Sequence, residues 1–185
     1  MDQPISLDTV VNFLVSTPLF DGLDPAERAE VVRIMEVRRL TDGEEVFHEG
    51  DPGDAWYVIF EGQARVLKEA DTGAWEIRVM ERGTCFGEMA ILDREARSAT
   101  VLAMGPLTAF RFRRQRFEQL LDQGSLGAYK LVLGMARMLS QRHRQLTQQL
   151  SELTSHDEPV AARAGAPGLQ ASDAHTAVAQ YQISE

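Results

Sequence analysis

The spacing of apolar and polar positions divides the chain into three stretches with different periods. Leu7 to Leu19 carries apolar residues at helical spacing, Val10, Val11 and Leu14, and stops at Ser16-Thr17-Pro18. A second helix is predicted after Asp24-Pro25, where the aspartate caps and the proline takes the first helical position. Its apolar face is Ala29, Val32 and Met35, with Val31 and Ile34 beside them. From about Val37 to Arg113 the period shortens. Runs rich in Val, Ile, Phe and Tyr (45–48, 55–60, 64–68, 76–80, 100–104 and 108–113) are separated by glycines 43, 50, 53, 62, 73, 83, 87 and 105. That is the pattern of short antiparallel strands joined by tight turns. Trp56, Val58 and Phe60 alternate with Tyr57, Ile59 and Glu61, which predicts one face turned inward. The third stretch is helical again: Arg114 to Asp122, ended near Gly124, then Ser125 to Leu153 without a proline.

The expected fold is therefore α+β, an antiparallel β-roll of jelly-roll type at about 37–113. N-terminal helices and a long C-terminal helix flank it, and the domain fills residues 1–153. Beyond Thr154 the composition collapses into Ala, Gly, Ser, Asp and Gln with two prolines, which predicts a disordered tail over 154–185.

Composition narrows the function. The net charge of -9 argues against nucleic acid as the main partner, since phosphate-rich polymers require concentrated Lys and Arg. The lone cysteine, Cys85, excludes an intrachain disulfide framework and a four-thiolate metal site within one chain. No signal peptide is visible, and no apolar run reaches membrane-spanning length, so the expected address is the cytoplasm, with no membrane partner.

Candidate chemistry concentrates in 84–100, T-C-F-G-E-M-A-I-L-D-R-E-A-R-S-A-T. Gly87 allows a sharp turn and close backbone approach to a bound group. Glu88 to Leu92 reads as a helical turn whose first N–H groups attract an anion. Arg97 supplies a permanent charge with forked donors suited to phosphate oxygens, and Ser98 a hydroxyl that donates and accepts. Glu88 is acceptor-only, so its natural partner is a hydroxyl donor beside the phosphate. One anion, one vicinal hydroxyl and an apolar wall describe a ribose phosphate.

Phe86-Gly87-Glu88-Met89-Ala90 with Arg97-Ser98-Ala99-Thr100 resembles the phosphate-binding cassette of cyclic nucleotide-binding domains. That module is shared by the catabolite activator protein, protein kinase A regulatory subunits and nucleotide-gated channels. Pro18-Leu19-Phe20-x-Gly22-Leu23, the run from Gly43 to Asp54, and Tyr57-Val58-Ile59-Phe60-Glu61-Gly62 are similar to the family as well, so the resemblance covers roughly 17–150. It implies a ligand, cAMP or cGMP, and no other cofactor. Gly87 and the N–H groups of Glu88, Met89 and Ala90 are then expected at the phosphate or sugar, Glu88 at the ribose 2′-OH, Arg97 at the phosphate, and Ser98 at the phosphate or purine, with Phe86 and Ala99 flanking. In the family the long C-terminal helix closes over the base, which places Arg142 and His143 near it. The resemblance implies a regulatory sensor, its downstream partner unspecified. No Ser/His/Asp or Cys/His arrangement emerges from spacing, and 154–185 is too short and polar for a helix-turn-helix domain, so neither catalysis nor a DNA-binding domain is expected. The alternative is a degenerate, ligand-free domain serving as an interaction scaffold.

Blander readings cover the remaining residues. His48 is expected on the strand surface, without the second histidine a metal site needs; Cys85 is a small buried hydrophobe; Trp56 is core and Trp75 a hairpin edge. Arg111, Arg113, Arg114 and Arg116 read as a solvated strand end. On the long helix Tyr129, Val132, Ala136, Leu139, His143, Leu146, Leu150 and Leu153 recur at alternating spacings of three and four. Its first half is expected to pack on the roll. The second half predicts a parallel homodimer through the C-terminal helix.

Overall fold

Two segments of extended backbone run far longer than the sequence pattern indicates, and they organise the domain. The computed structural model describes residues 5–71 and 73–154. The expected tail from 155, and the side chain of Leu153 in the helical seam, lie outside what is described. Helix α1 is Leu7–Ser16, its N-terminus capped by Ser6, whose hydroxyl accepts from the Thr9 amide at 3.2 Å. A 3-10 turn follows at Pro18–Phe20. Helix α2 is Pro25–Arg33, opened by a reciprocal capping box between Asp24 and Glu27. It ends two residues short of the Met35 expected on its face. Met35 instead opens strand β1, Met35–Leu40, paired with Phe112, because the inter-strand ladder outweighs local helical spacing.

The other strands are β2, Glu45–Phe47; β3, Ala55–Ala70; β4, Gly73–Met80; β5, Cys85–Phe86; and β6, Thr100–Arg113. All pair antiparallel in one unclosed sheet ordered β1-β6-β3-β4, with β2 added to β6 and β5 to β3. The separate runs expected at 55–60 and 64–68 are one strand, as are those at 100–104 and 108–113. The glycines between them bend strands without ending them. Register shifts flank Glu61, and Gly62 lies at φ +88 against β6, where an added Cβ falls 2.3 Å from the Pro106 carbonyl oxygen. On either side of this bend the long pair takes different neighbours. β1 and β5 pair beside its first half, β2 and β4 beside its second.

The expected single inward face of β3 is two buried faces. Trp56, Val58 and Phe60 meet the helices, while Tyr57 and Ile59 fill the inside of the roll. Trp56 stacks on Phe112 at 4.0 Å and meets Phe117 of helix α4 edge-on at 5.7 Å. After β5 comes a single turn, α3, Met89–Leu92. Helix α4, Arg114–Asp122, ends at Gly124, φ +75, whose amide bonds the Leu121 carbonyl; helix α5, Leu126–Thr154, follows.

Of the described residues, those up to Ser140 form one compact unit and those from Gln141 another. Within the first, α5 is pinned to α2 by Lys130, whose ammonium donates to both Glu27 oxygens at 2.8 Å. The stripe of α5 that packs inward is Ala128, Leu131 and Met135, one residue out of phase with the expected seam. Tyr129 and Ala136 of that seam are exposed while Val132 packs partly buried against the core, so the first half of the seam meets the core only in part. Leu146 and Leu150 further along the helix are exposed too.

Candidate functional site

Strand β5 lies beside β3, with Phe86 opposite Tyr57, and the two rings stack at 5.3 Å. Phe47 joins them at 5.8 Å from Tyr57 and 6.0 Å from Phe86, making an aromatic floor inside the roll. The chain then turns at Gly87, φ +71, where an ideal Cβ lies 2.9 Å from Arg97 Nη1 and 3.2 Å from the Phe47 ring. Only glycine fits that cradle. Glu88 occupies the cap position of α3, so the helix starts one residue later than expected, and it is buried at 2% exposure; its side chain makes no capping bond. Met89 stands exposed, while Ala90 is buried against Gly53 and its carbonyl accepts from Arg114.

Arg97 is the buried cation of the site, its side chain 1% exposed. Nη1 donates to the Gly87 carbonyl at 3.0 Å; Nη2 donates to the Ala55 carbonyl at 2.7 Å and to Asp54 Oδ1 at 3.2 Å. The guanidinium lies 4.1 Å over the Phe47 ring. Its Nε is buried and has no hydrogen-bond partner. Burial lowers the Arg97 pKa from its ordinary value, opposed by Tyr57 and Asp54, and the group stays charged. Burial likewise raises the pKa of the Tyr57 phenol.

The loop after β2 holds the arginine's backbone. The Arg97 amide donates to the Asp51 carbonyl, the Gly50 amide to the Arg97 carbonyl, and the Glu49 amide to Thr100 Oγ1, each at 2.9 Å. Ser98 is exposed, and its carbonyl accepts from Lys68 Nζ at 3.0 Å; Ala99 is half-buried. The fold thus brings Phe86, Gly87, Glu88, Met89, Ala90, Arg97, Ser98 and Ala99 together. Arg142 and His143 lie on α5 in the second unit.

Sequence reasoning missed Asp54, Phe47, Lys68 and Arg111. Asp54 entered only as the last residue of the run from Gly43, and the arginines from 111 read as solvated. Arg111 is in fact largely buried and paired with Asp54 and Glu36. The available signal was strand alternation, which sets Arg111 opposite Tyr57. Two clefts elsewhere hold none of the cassette residues just named. One of about 620 Å³ lies between α2 and the α4–α5 turn; another of about 310 Å³ lies between α3, α4 and Val132. His48 follows β2, half exposed, between Glu45 and Glu69. Among the described residues, no group of three or more His, Cys, Asp or Glu is placed to hold a metal, and no helix is long and apolar enough to cross a membrane.

Comparison with known proteins adds the decisive observation: residues 37–124 match the cyclic nucleotide-binding domain family. That match takes in just under half of the chain, including most of β1, all of β2 to β6 and the cassette. The domain is 39% identical over 101 residues to a cAMP-dependent protein kinase regulatory subunit of Mycosarcoma maydis, covering 55% of this chain and 19% of that one. It is similar to the regulatory domain of Toxoplasma gondii PKA in co-crystals with cAMP, with 29% identity, TM-score 0.59, and coverage of 69% of this chain and 48% of that one. It is similar also to the Thermus thermophilus catabolite activator protein, with 27% identity, TM-score 0.65, and coverage of 75% and 63%. The chain spans between 19% and 26% of the length of the kinase regulatory subunits it matches.

Proposed function

We propose that this cyclic nucleotide-binding domain is a working sensor that takes cAMP or cGMP at the 86–99 cassette and carries no catalytic step. The observation that carries this reading is Arg97: a buried guanidinium beneath a glycine cradle, its Nε without a partner, with a buried Glu88 following that glycine in the chain. A cyclic phosphate supplies the missing acceptor. The ribose 2′-OH supplies the donor a buried carboxylate takes, and the Phe47, Tyr57 and Phe86 rings supply an apolar wall. Met89, Ala90, Ser98 and Ala99 border the ligand. Arg142 and His143 are the base-facing pair when the helix closes, so the output is a movement of α5. A parallel homodimer through α5 completes the reading, supported by the exposure of Leu146 and Leu150 one helical turn apart. The same exposed pair favours the second reading, a ligand-free interaction scaffold.

Calorimetric titration with cAMP, cGMP and 5′-AMP separates the two. Saturable binding of a cyclic nucleotide, with 5′-AMP much weaker, is the expected result. No heat from either cyclic nucleotide at millimolar ligand leaves the scaffold reading.

A further inference from the structure

Asp54 does not serve Arg97 alone. Its Oδ1 accepts from Arg97 Nη2 at 3.2 Å, while its Oδ2 accepts from Arg111 Nη2 in a closer contact. Arg111, on β6, has a side chain 13% exposed, and its Nη1 stands 3.7 Å from Glu36 Oε2. The other Glu36 oxygen takes the Arg113 Nε at 2.7 Å. Three guanidiniums therefore share two carboxylates in one chain of contacts. Take Arg111 away and Asp54 is free to close on Arg97.

We propose that Arg111 is a positioning residue for anion binding: by holding one oxygen of Asp54, it keeps Arg97 from being neutralised and so sets the affinity of the cassette for a phosphate. The inference rests on reading the cassette as a phosphate site. An incoming anion competes with Asp54 for Arg97, and the competition is harder when Asp54 has no other cation. Because Arg111 acts through Asp54, its effect depends on the carboxylate being there.

The test is a double-mutant cycle of Arg111→Gln and Asp54→Asn, with Arg111→Lys as the charge-keeping variant, each titrated with cAMP and cGMP. Arg111→Gln is expected to weaken binding by roughly 2- to 30-fold, and Arg111→Lys to recover most of it. In the Asp54→Asn background the same Arg111→Gln change should alter affinity by less than about twofold, which a packing role or a general field effect does not produce. An equal loss in both backgrounds overturns the proposal. A crystal structure of nucleotide-free Arg111→Gln supplies a readout independent of binding: the Arg97–Asp54 contact should shorten below the 3.2 Å seen here. If the wild type binds neither nucleotide, the sensor reading falls. The shortened contact then still decides whether Arg111 divides Asp54, and an unchanged distance refutes it.

Discussion

Replacing Gly87 with alanine tests the cradle against a matched control. Gly87 and Gly43 hold nearly the same backbone angle, φ +71 and φ +74, but their surroundings differ. A Cβ at Gly43 meets nothing within 4 Å, whereas at Gly87 it lies 2.9 Å from Arg97 Nη1, which must retreat about 0.5 Å to reach the 3.4 Å of ordinary contact. Both variants incur the left-handed penalty of roughly 1–2 kcal/mol, a fall in Tm of roughly 2–8 °C for a chain of this size. Gly87→Ala alone also disturbs the guanidinium, which cannot move toward the Phe47 ring 4.1 Å beneath it. Loss of one charge-assisted hydrogen bond there is worth about 1.5–3 kcal/mol, so cyclic nucleotide affinity should fall roughly 10- to 100-fold. Gly43→Ala should stay within about twofold of wild type. Thermal melts without ligand and calorimetry with it measure the two effects separately. If Gly87→Ala binds as wild type does, or if Gly43→Ala loses as much affinity, the cradle argument is wrong.

The other expectations concern the sugar, alkaline stability and assembly. Glu88→Ala should bind 2′-deoxy and ordinary cyclic nucleotides alike, while wild type prefers the ordinary one; equal wild-type affinities would remove Glu88 from the ribose. Burial raises the Tyr57 pKa in the folded state, so its contribution is intact below the unfolded value of about 10 and is lost as pH rises beyond it. Urea titrations of wild type and Tyr57→Phe between pH 9 and 11 should therefore show the steeper decline in wild type, and parallel declines would refute the assignment. Leu146→Glu with Leu150→Glu should give a monomer in sedimentation velocity where wild type is a dimer, and a wild type monomeric at high concentration, with and without nucleotide, excludes the α5 homodimer.

Local chemistry made much of this protein legible from sequence. The Asp24 cap, the stop at Gly124 and the turn at Gly87 depend on residues a few positions apart, and they appear where the pattern places them, whereas Gly62 and Gly105 lie within continuous strands. The cassette was legible for the same reason, since Gly87 to Ala90 forms one continuous turn and Arg97 follows within ten residues. What the tertiary structure decided is where long-range pairing outweighs local preference. Met35 leaves its helix for a ladder with Phe112, and two pairs of short runs fuse into β3 and β6 because each has a partner along its whole length. The alternation of β3 predicted one buried face, but helices cover the second, which nearest-neighbour spacing cannot reveal. The phase of α5 follows the same logic: Tyr129 and Leu131 lie two residues apart, and only contact with α2 and the roll determines which of them faces inward. Charge is the clearest case. Arg111 counts as a surface cation in the chain and becomes a largely buried partner of the exposed Asp54, 57 residues away, because the pairing of β6 with β3 brings the two together.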